Sequence, residues 1–258
     1  MIKAVFFDVD GTLVSMESRK IPESAAEALK ALHAKGVKIF ISTGRHLHEL
    51  DEVRALYDFD GYVLLNGQYC LDGECNMLHK LTFSKEDVMG AVEEAKKNEY
   101  PIYFTHGQGE FINMLNEDIL NICKKLKLEI PAIKNPEEAL NLDIYQLSAC
   151  LPKEYEKNLM GKMKNSQMVT WFPGYVDIIP IGGGKHEGMR KMLEHHGLTM
   201  EEAMSFGDGG NDISMIKAAK IGVAMGNASE KVKQEADYVT DTVDNDGIEK
   251  ALKHFGVI

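Results

Sequence analysis

The sequence is poor in cysteine, in net positive charge and in long apolar runs. Its four cysteines, Cys70, Cys75, Cys123 and Cys150, form no Cys-x-x-Cys pair. Reduced, buried thiols in a cytoplasmic protein are the expected state. Basic residues number 29 against 40 acidic, a net charge of −11. That argues against nucleic acid or an anionic membrane as a partner. It also means that an anionic substrate needs local positive charge, from lysine, arginine or a metal. No apolar run approaches the length of a membrane span. The first residues carry one lysine and then Asp8 and Asp10, which is not the pattern of a signal peptide. Internal repeats and low-complexity segments are also lacking.

What is present is an ordinary globular composition over 258 residues, 44% hydrophobic and 27% charged, enough for one large domain or two modest ones. The most informative stretch comes first. Ala4-Val5-Phe6-Phe7 is apolar throughout and reads as a buried parallel strand. Asp8-Val9-Asp10-Gly11-Thr12 follows at once. In an open α/β sheet, ligands sit beyond the carboxyl ends of the strands, and that is where these two carboxylates fall. Two carboxylates held close disfavour ionising together, and a bound cation removes the conflict. Asp58-Phe59-Asp60-Gly61 repeats the pattern, but it follows a helical stretch and precedes a strand. That copy reads as a turn.

The chain then alternates strands and helices. Pro22-Glu23 opens a helix with Ala25, Ala28, Leu29 and Leu32 on its apolar face, ended by Gly36. Val37–Ile41 is a second strand running into Ser42-Thr43-Gly44-Arg45, and a helix over His46–Leu56 leads to a third strand, Tyr62–Leu65, closed by Asn66-Gly67. This rhythm predicts a doubly wound parallel sheet. From Phe83 the character changes. A helix after Ser84, a strand pair around Gly107 and Gly109, helices at Asn116–Leu126 and Lys153–Lys164, and strands at Ile144–Leu151, Val169–Phe172 and Val176–Pro180 predict an inserted α+β domain. Its helices are expected on one face of an antiparallel sheet, with Trp171 and Phe172 in its core or stacking on substrate. Gly182-Gly183-Gly184 marks the return, and the α/β rhythm resumes with a helix from Lys185, a strand at Ala203–Phe206 and the loop Gly207-Asp208-Gly209-Gly210-Asn211-Asp212. The predicted domains are 1–82 with 184–258, and 83–183.

Three strands thus end in polar, glycine-containing loops on one sheet edge. They bring Asp8 and Asp10, then Ser42, Thr43 and Arg45, then Asp208, Asn211 and Asp212. Converging carboxylates make a site for a hard cation of the Mg²⁺ type. Hydroxyls of Ser42 and Thr43 and the amide of Gly44 near a helix start suit an anion. Lys185 is a compact positive charge. Together these suit phosphoryl transfer, with an aspartate as nucleophile and a second acid serving the leaving oxygen and then water. Two competing motifs fail. Ile179 and His186 break the P-loop pattern around Gly184-Lys185, and Thr242 and Lys253 stand where an EF-hand around Asp244 needs Asp and Glu. His195-His196 is expected at an exposed helix end.

Four motifs in this order and spacing, Asp8-Val9-Asp10-Gly11-Thr12, Ser42-Thr43-Gly44-Arg45, Lys185 and Gly207–Asp212, resemble those of the haloacid dehalogenase-like phosphatases. The insert between the second and third resembles the C2 cap of the Cof-type subgroup, although His186 follows the lysine where those relatives commonly have glycine. The resemblance implies that Asp8 is the nucleophile and Asp10 the general acid/base. It implies Mg²⁺ held by Asp8, the Asp10 backbone carbonyl and Asp208. It implies phosphate binding by Val9, Ser42, Thr43, Gly44, Lys185 and Asn211, with Asp212 orienting Lys185 or a metal-bound water. Arg45 either binds substrate or pairs at the helix start, and Tyr175 and Asp177 are candidate substrate contacts in the insert. The expected activity is hydrolysis of small phosphorylated metabolites, sugar phosphates first, through an aspartyl-phosphate. Flavin mononucleotide and pyridoxal phosphate are other candidate substrates. A phosphosugar mutase and a non-turning-over phosphate sensor are the alternatives. The substrate itself and the oligomeric state are not readable.

Overall fold

The computed structural model describes residues 1–98, 100–126, 130–149, 153–172 and 175–258. Cys150 and Leu151 lie outside the described residues, and so do the side chains of Trp171 and Phe172. The chain divides into two compact units, Met1–Lys80 with Gly183–Ile258, and Leu81–Gly182.

The first unit is an α/β fold around an eight-stranded sheet. In chain order its strands are β1 (Ala4–Phe7), β2 (Lys38–Ser42), β3 (Gly61–Leu64), β4 (Tyr69–Asp72), β5 (Met77–Lys80), β12 (Ala203–Gly207), β13 (Ile221–Ala224) and β14 (Tyr238–Val239). Their spatial order is β14-β13-β12-β1-β2-β3-β4-β5. All neighbours are parallel except β3–β4 and β4–β5. β1 is central and fully buried, as its unbroken apolar run predicts. Phe6 stacks on Phe40 at 4.6 Å on one face, and Phe7 stacks on Phe206 at 5.1 Å on the other. Helices α6 (Lys185–His195) and α7 (Ile213–Ala218) bury Met189, Met192, Leu193 and Met215 against Phe6 and Phe40. Helix α1 (Glu23–Ala34) buries Ala25, Ala28, Leu29 and Leu32 and packs against α9 (Gly247–His254).

Several local expectations change. The stretch expected as one helix over His46–Leu56 is a 3₁₀ turn, Leu47–Leu50, followed by the short helix α2 (Asp51–Arg54). His46 starts the turn with a capping box, its backbone amide donating to Glu49 Oε2 at 2.7 Å. Strand β13 is followed by the short helix α8 (Glu230–Lys233). His195 is exposed in the last turn of α6, as expected, whereas His196, which caps that helix, is half-buried. Its ring packs 5.2 Å from that of Phe40, and burial holds its pKa below the ordinary value. Cys75 is only half-buried, whereas Cys70 and Cys123 are buried; all three are free thiols.

The second unit holds a six-stranded sheet of β6 (Ile102–His106), β7 (Gly109–Ile112), β8 (Ala132–Ile133), β9 (Ile144–Ala149), β10 (Ser166–Phe172) and β11 (Tyr175–Pro180). The order is β10-β11-β9-β6-β7-β8, antiparallel except for β7–β8. One face buries Phe104, Phe111, Leu147 and Ile178 against α3 (Lys85–Asn98) and α5 (Lys153–Lys162) through Val88, Ala91, Val92 and Leu159. The helices are not all on that face. Helix α4 (Glu117–Leu126) packs Ile119 and Cys123 against Tyr103 and Ile112. Tyr103 alternates with Phe104 and so points the opposite way.

Candidate active site

Strand register assembles the site. Phe7 pairs with Ile41 on one side and with Phe206 on the other. The residues one step further, Asp8, Ser42 and Gly207, therefore lie level across three adjacent strand ends, and the Asp8 amide donates to the Phe206 carbonyl at 3.0 Å. Gly207 leads to Asp208. The loop after β1 must turn sharply there, and Gly11 does so at φ +80°. A Cβ on Gly11 would lie 2.5 Å from Asp208 Oδ2, so the loop's close approach to that carboxylate requires glycine.

Lys185 enters from the first turn of α6. Gly184 precedes it at φ +129°, and a Cβ on Gly67 would lie 2.2 Å from the Gly184 carbonyl oxygen. Glycine at both positions lets the backbones touch and sets the helix start. Lys185 is fully buried, and its Nζ donates to Asp8 Oδ1 and to Asp212 Oδ1, each at 2.6 Å. Asp212 Oδ2 accepts from the amides of Asp208 and Gly209 at 2.9 and 2.8 Å. One carboxylate thus ties the lysine to the loop carrying Asp208.

Oxygens of Asp8, Asp208 and Asp212 lie within 4.8 Å of one another. Burial, and then the charge of Asp212, pushes the Asp8 carboxyl well above its ordinary value. The same two causes push Asp208 up to about 7. Burial opposes the charge on Lys185, but Asp212 and Asp8 outweigh it and raise its pKa. One lysine contacts two of three crowded carboxylates, so the cluster carries excess negative charge in low dielectric. Carboxylate oxygens are the ligands of a hard divalent cation, and the residues present fit one. Asp10 contributes no side chain to this cluster. Its carboxylate is held by Arg45, from Nε to Oδ2 at 2.7 Å and from Nη2 to Oδ1 at 2.5 Å.

The anion-binding expectations fare unevenly. Ser42 Oγ is fully buried and has no hydrogen-bond partner among the described residues. A buried hydroxyl left so costs free energy, and an anion at the strand edge would relieve it. The Thr43 amide, by contrast, donates to the Val63 carbonyl at 2.8 Å, and Thr43 Oγ1 accepts from the Arg45 amide at 3.2 Å. Gly44 is half-buried beside them. Val9 buries its side chain completely, which leaves only its backbone for a ligand. Asn211 Nδ2 donates to Asn66 Oδ1 at 2.9 Å, and Asn66 is itself left-handed at φ 54°. Asp177 and Tyr175 lie in the second unit, where Asp177 is buried and accepts from Ser148 Oγ at 2.6 Å.

Three site neighbours escape sequence reasoning. Thr12 Oγ1 donates to Asp208 Oδ1 at 2.9 Å. Arg19 Nη1 lies 3.7 Å from Asp10 Oδ1. Asn227 Nδ2 donates to the Gly11 carbonyl at 2.8 Å and to Asp208 Oδ2 at 3.3 Å, while its Oδ1 accepts from the Val243 amide. Gly226-Asn227 closely follows β13 on the same sheet edge, and that position was the available signal.

Comparison with known proteins finds relatives over nearly the whole chain. A family model described as haloacid dehalogenase-like hydrolase matches residues 5–252. The chain is 32% identical over 257 residues to the 5-amino-6-(5-phospho-D-ribitylamino)uracil phosphatase YcsE of Bacillus subtilis, covering 98% of this chain and 96% of that one. It is 42% identical to the solved structure of BT4131, described as a sugar phosphatase of subclass IIB, with a TM-score of 0.91 over 99% of this chain and 100% of that one. The structure of the phosphatase BT1666 from Bacteroides thetaiotaomicron gives 38% identity and a TM-score of 0.93 over 100% and 96% of the two chains.

Proposed function

We propose, from the premise that this chain belongs to the haloacid dehalogenase-like hydrolases, that it is a Mg²⁺-dependent phosphomonoesterase of sugar phosphates working through an aspartyl-phosphate. That it is a phosphatase of small phosphorylated molecules follows from its relatives. The finer reading is carried by one observation: three carboxylates crowd around a fully buried lysine, beside a buried serine hydroxyl that has no partner among the described residues.

Asp8 is the nucleophile in this reading. Lys185 grips Asp8 Oδ1, which leaves Oδ2 to attack phosphorus as the bond to the leaving oxygen breaks. Asp10 gives that oxygen a proton, then takes one from the water that hydrolyses the aspartyl-phosphate. Lys185, the Ser42 hydroxyl and the Asn211 amide hold the phosphoryl oxygens, with Val9 and Gly44 contributing backbone and Thr43 its hydroxyl. Asp212 keeps Lys185 aimed at Asp8. Bound Mg²⁺, held by Asp8, Asp208 and the Asp10 carbonyl, supplies charge that offsets the oxygens of the transferring group. Residues 1–82 with 184–258 form the catalytic part and 83–183 the cap that selects substrate. The sugar phosphatase at 42% identity supports sugar phosphates as the substrate class. Cysteine usage and the acidic net charge support a cytoplasmic location and a small-metabolite substrate.

The test is phosphate release from p-nitrophenyl phosphate and from a panel of hexose and pentose phosphates, flavin mononucleotide and pyridoxal phosphate. Release should require Mg²⁺, stop in chelator, and disappear in Asp8→Asn. Turnover that survives chelator, or survives Asp8→Asn, refutes the mechanism. A preference for the flavin or pyridoxal ester refutes only the substrate class.

A further inference from the structure

Arg45 spends its charge on Asp10. The two form a bidentate pair, with donor–acceptor distances of 2.7 and 2.5 Å, and both side chains are about four-fifths buried, at 22% and 23% exposure. The remaining guanidinium nitrogen, Nη1, donates to the Glu49 carbonyl at 2.9 Å. The Glu49 side chain is in turn fixed by the His46 amide, and the Arg45 amide by Thr43 Oγ1. The guanidinium is therefore anchored at both ends to the backbone after β2. A second guanidinium, that of Arg19, approaches Asp10 Oδ1 at 3.7 Å from a residue held at φ 60°. Holding a non-glycine residue there costs about 1–3 kcal/mol, which marks the loop as over-determined. A fork-to-fork pair fixes the plane of a carboxylate as a single bond cannot.

We propose that Arg45 is a positioning residue, which holds the Asp10 carboxyl group in the one orientation from which it serves the leaving oxygen. This rests on the reading of Asp10 as general acid/base. In the step it serves, the bond from Asp8 Oδ2 to phosphorus forms and the bond from phosphorus to the leaving oxygen breaks. The proton on Asp10 passes to that oxygen. Asp10 is left as the carboxylate, which then takes a proton from the attacking water and is restored. Arg45 binds neither the phosphoryl group nor the sugar, and acts only through Asp10.

The measurement compares two leaving groups. The p-nitrophenolate anion departs without a proton, and the alkoxide of a hexose 6-phosphate does not. Arg45→Gln and Arg45→Lys are made in the natural sequence and in Asp10→Asn, and phosphoenzyme formation is followed in single turnovers with saturating Mg²⁺. Arg45→Gln should slow hexose 6-phosphate cleavage about 100-fold, the low end of general-acid effects. It should change KM little and leave p-nitrophenyl phosphate nearly unaffected. The loss should vanish in the Asp10→Asn background, because a residue acting through another adds nothing once that residue is gone. Arg45→Lys keeps the charge and the stem but lacks the fork, and should rescue little. A rise in KM on both substrates at unchanged rate would show that Arg45 binds substrate, and overturns the proposal. Equal losses on both substrates, additive with Asp10→Asn, would show a merely structural role and overturn it too. If Asp10→Asn itself leaves the leaving-group dependence unchanged, the acid/base reading of Asp10 fails and takes the proposal with it.

Discussion

Replacing Asp208 by asparagine is expected to stabilise the metal-free protein. Asp208 shares a crowded edge with Asp8 and Asp212, and its carboxyl is pushed from 3.8 up to about 7 by burial and then by Asp212. The folded pKa lies above the unfolded one, so between these values the native chain binds more protons than the unfolded chain. Stability must then fall as pH rises through that window. Three units at about 1.4 kcal/mol each set a ceiling of about 4 kcal/mol. Because the group is partly open to solvent, screening brings this to about 2–3 kcal/mol. Asparagine keeps an acceptor for Thr12 Oγ1 and forfeits one long bond from Asn227 Nδ2, at 3.3 Å, a loss of about 1 kcal/mol. Asp208→Asn should therefore gain about 1–2 kcal/mol at pH 8 in chelator, and lose up to about 1 kcal/mol near pH 4, where only the forfeited bond counts. Urea unfolding at both pH values reads this directly. Adding Mg²⁺ should reverse the order, since only a chain that binds the ion gains from mass action. A variant less stable than the natural protein at pH 8 in chelator, or a gap that ignores pH, would refute the reasoning.

The opposite change should do the opposite. Lys185→Met leaves Asp8 and Asp212 without their shared cation and should cost about 3–5 kcal/mol in urea unfolding at pH 8, with loss of turnover; unchanged stability would show that the carboxylates do not depend on it. Gly67→Ala places a methyl 2.2 Å from the Gly184 carbonyl at φ +94°, whereas Gly36→Ala, at φ +71°, meets nothing within 4 Å. Both pay the left-handed cost of about 1–2 kcal/mol, and only the first should lose more than that and lower activity by shifting Lys185. Equal midpoints for the two would remove close packing as the reason for Gly67. Burial pushes the Cys70 thiol up to about 12, so a thiol reagent at pH 8 should spare Cys70 in the folded protein and label half-buried Cys75 ahead of Cys70 and Cys123. Labelling that persists unchanged in Cys75→Ser would contradict this.

Much of the first unit was legible because its central strands are apolar throughout. β1, β2 and β12 announce themselves as buried parallel strands, and each runs directly into a polar loop. The convergence of Asp8, Ser42 and Asp208 follows from parallel pairing alone. The β4–β5 hairpin was not legible, because two four-residue strands, one with two adjacent buried residues and one with none, have no period to read. Helix α9 hid behind the turn-forming Asp244-Asn245-Asp246-Gly247, although Ile248, Ala251 and Leu252 form its buried face. The partner of Arg45 could not be read either. Asp10 is 35 residues away, and Asn66 and Asn211 are 145 apart. Contacts at such separations depend on loop conformation, which strand patterns do not encode.

The two Asp-x-Asp-Gly copies show what does decide. Asp58-Phe59-Asp60-Gly61 and Asp8-Val9-Asp10-Gly11 share a pattern but sit at opposite ends of their strands. Asp60 precedes β3 and closes a backbone gap there. Its Oδ2 accepts from the Ile39 amide and its Oδ1 from Lys38 Nζ, both at 2.8 Å. Its glycine, Gly61, lies inside the strand, where a Cβ would strike Met192. Asp10 follows β1, faces no ladder amide, and meets a guanidinium instead; its glycine lets the chain pass Asp208. The same side chains thus satisfy the backbone at one edge and are left for chemistry at the other. The physical cause is that Asp60, ahead of its strand, meets an amide of the neighbouring strand β2, whereas Asp10, beyond its strand, meets the Arg45 guanidinium in a loop at the ligand edge of the sheet. If that is right, Asp60→Asn should cost stability, about 1–3 kcal/mol for an exchanged charge-assisted bond, without changing turnover. Asp10→Asn should lower turnover as well as loosening its pair with Arg45. Stability and activity that fell together in both variants would show that strand end does not sort the two motifs.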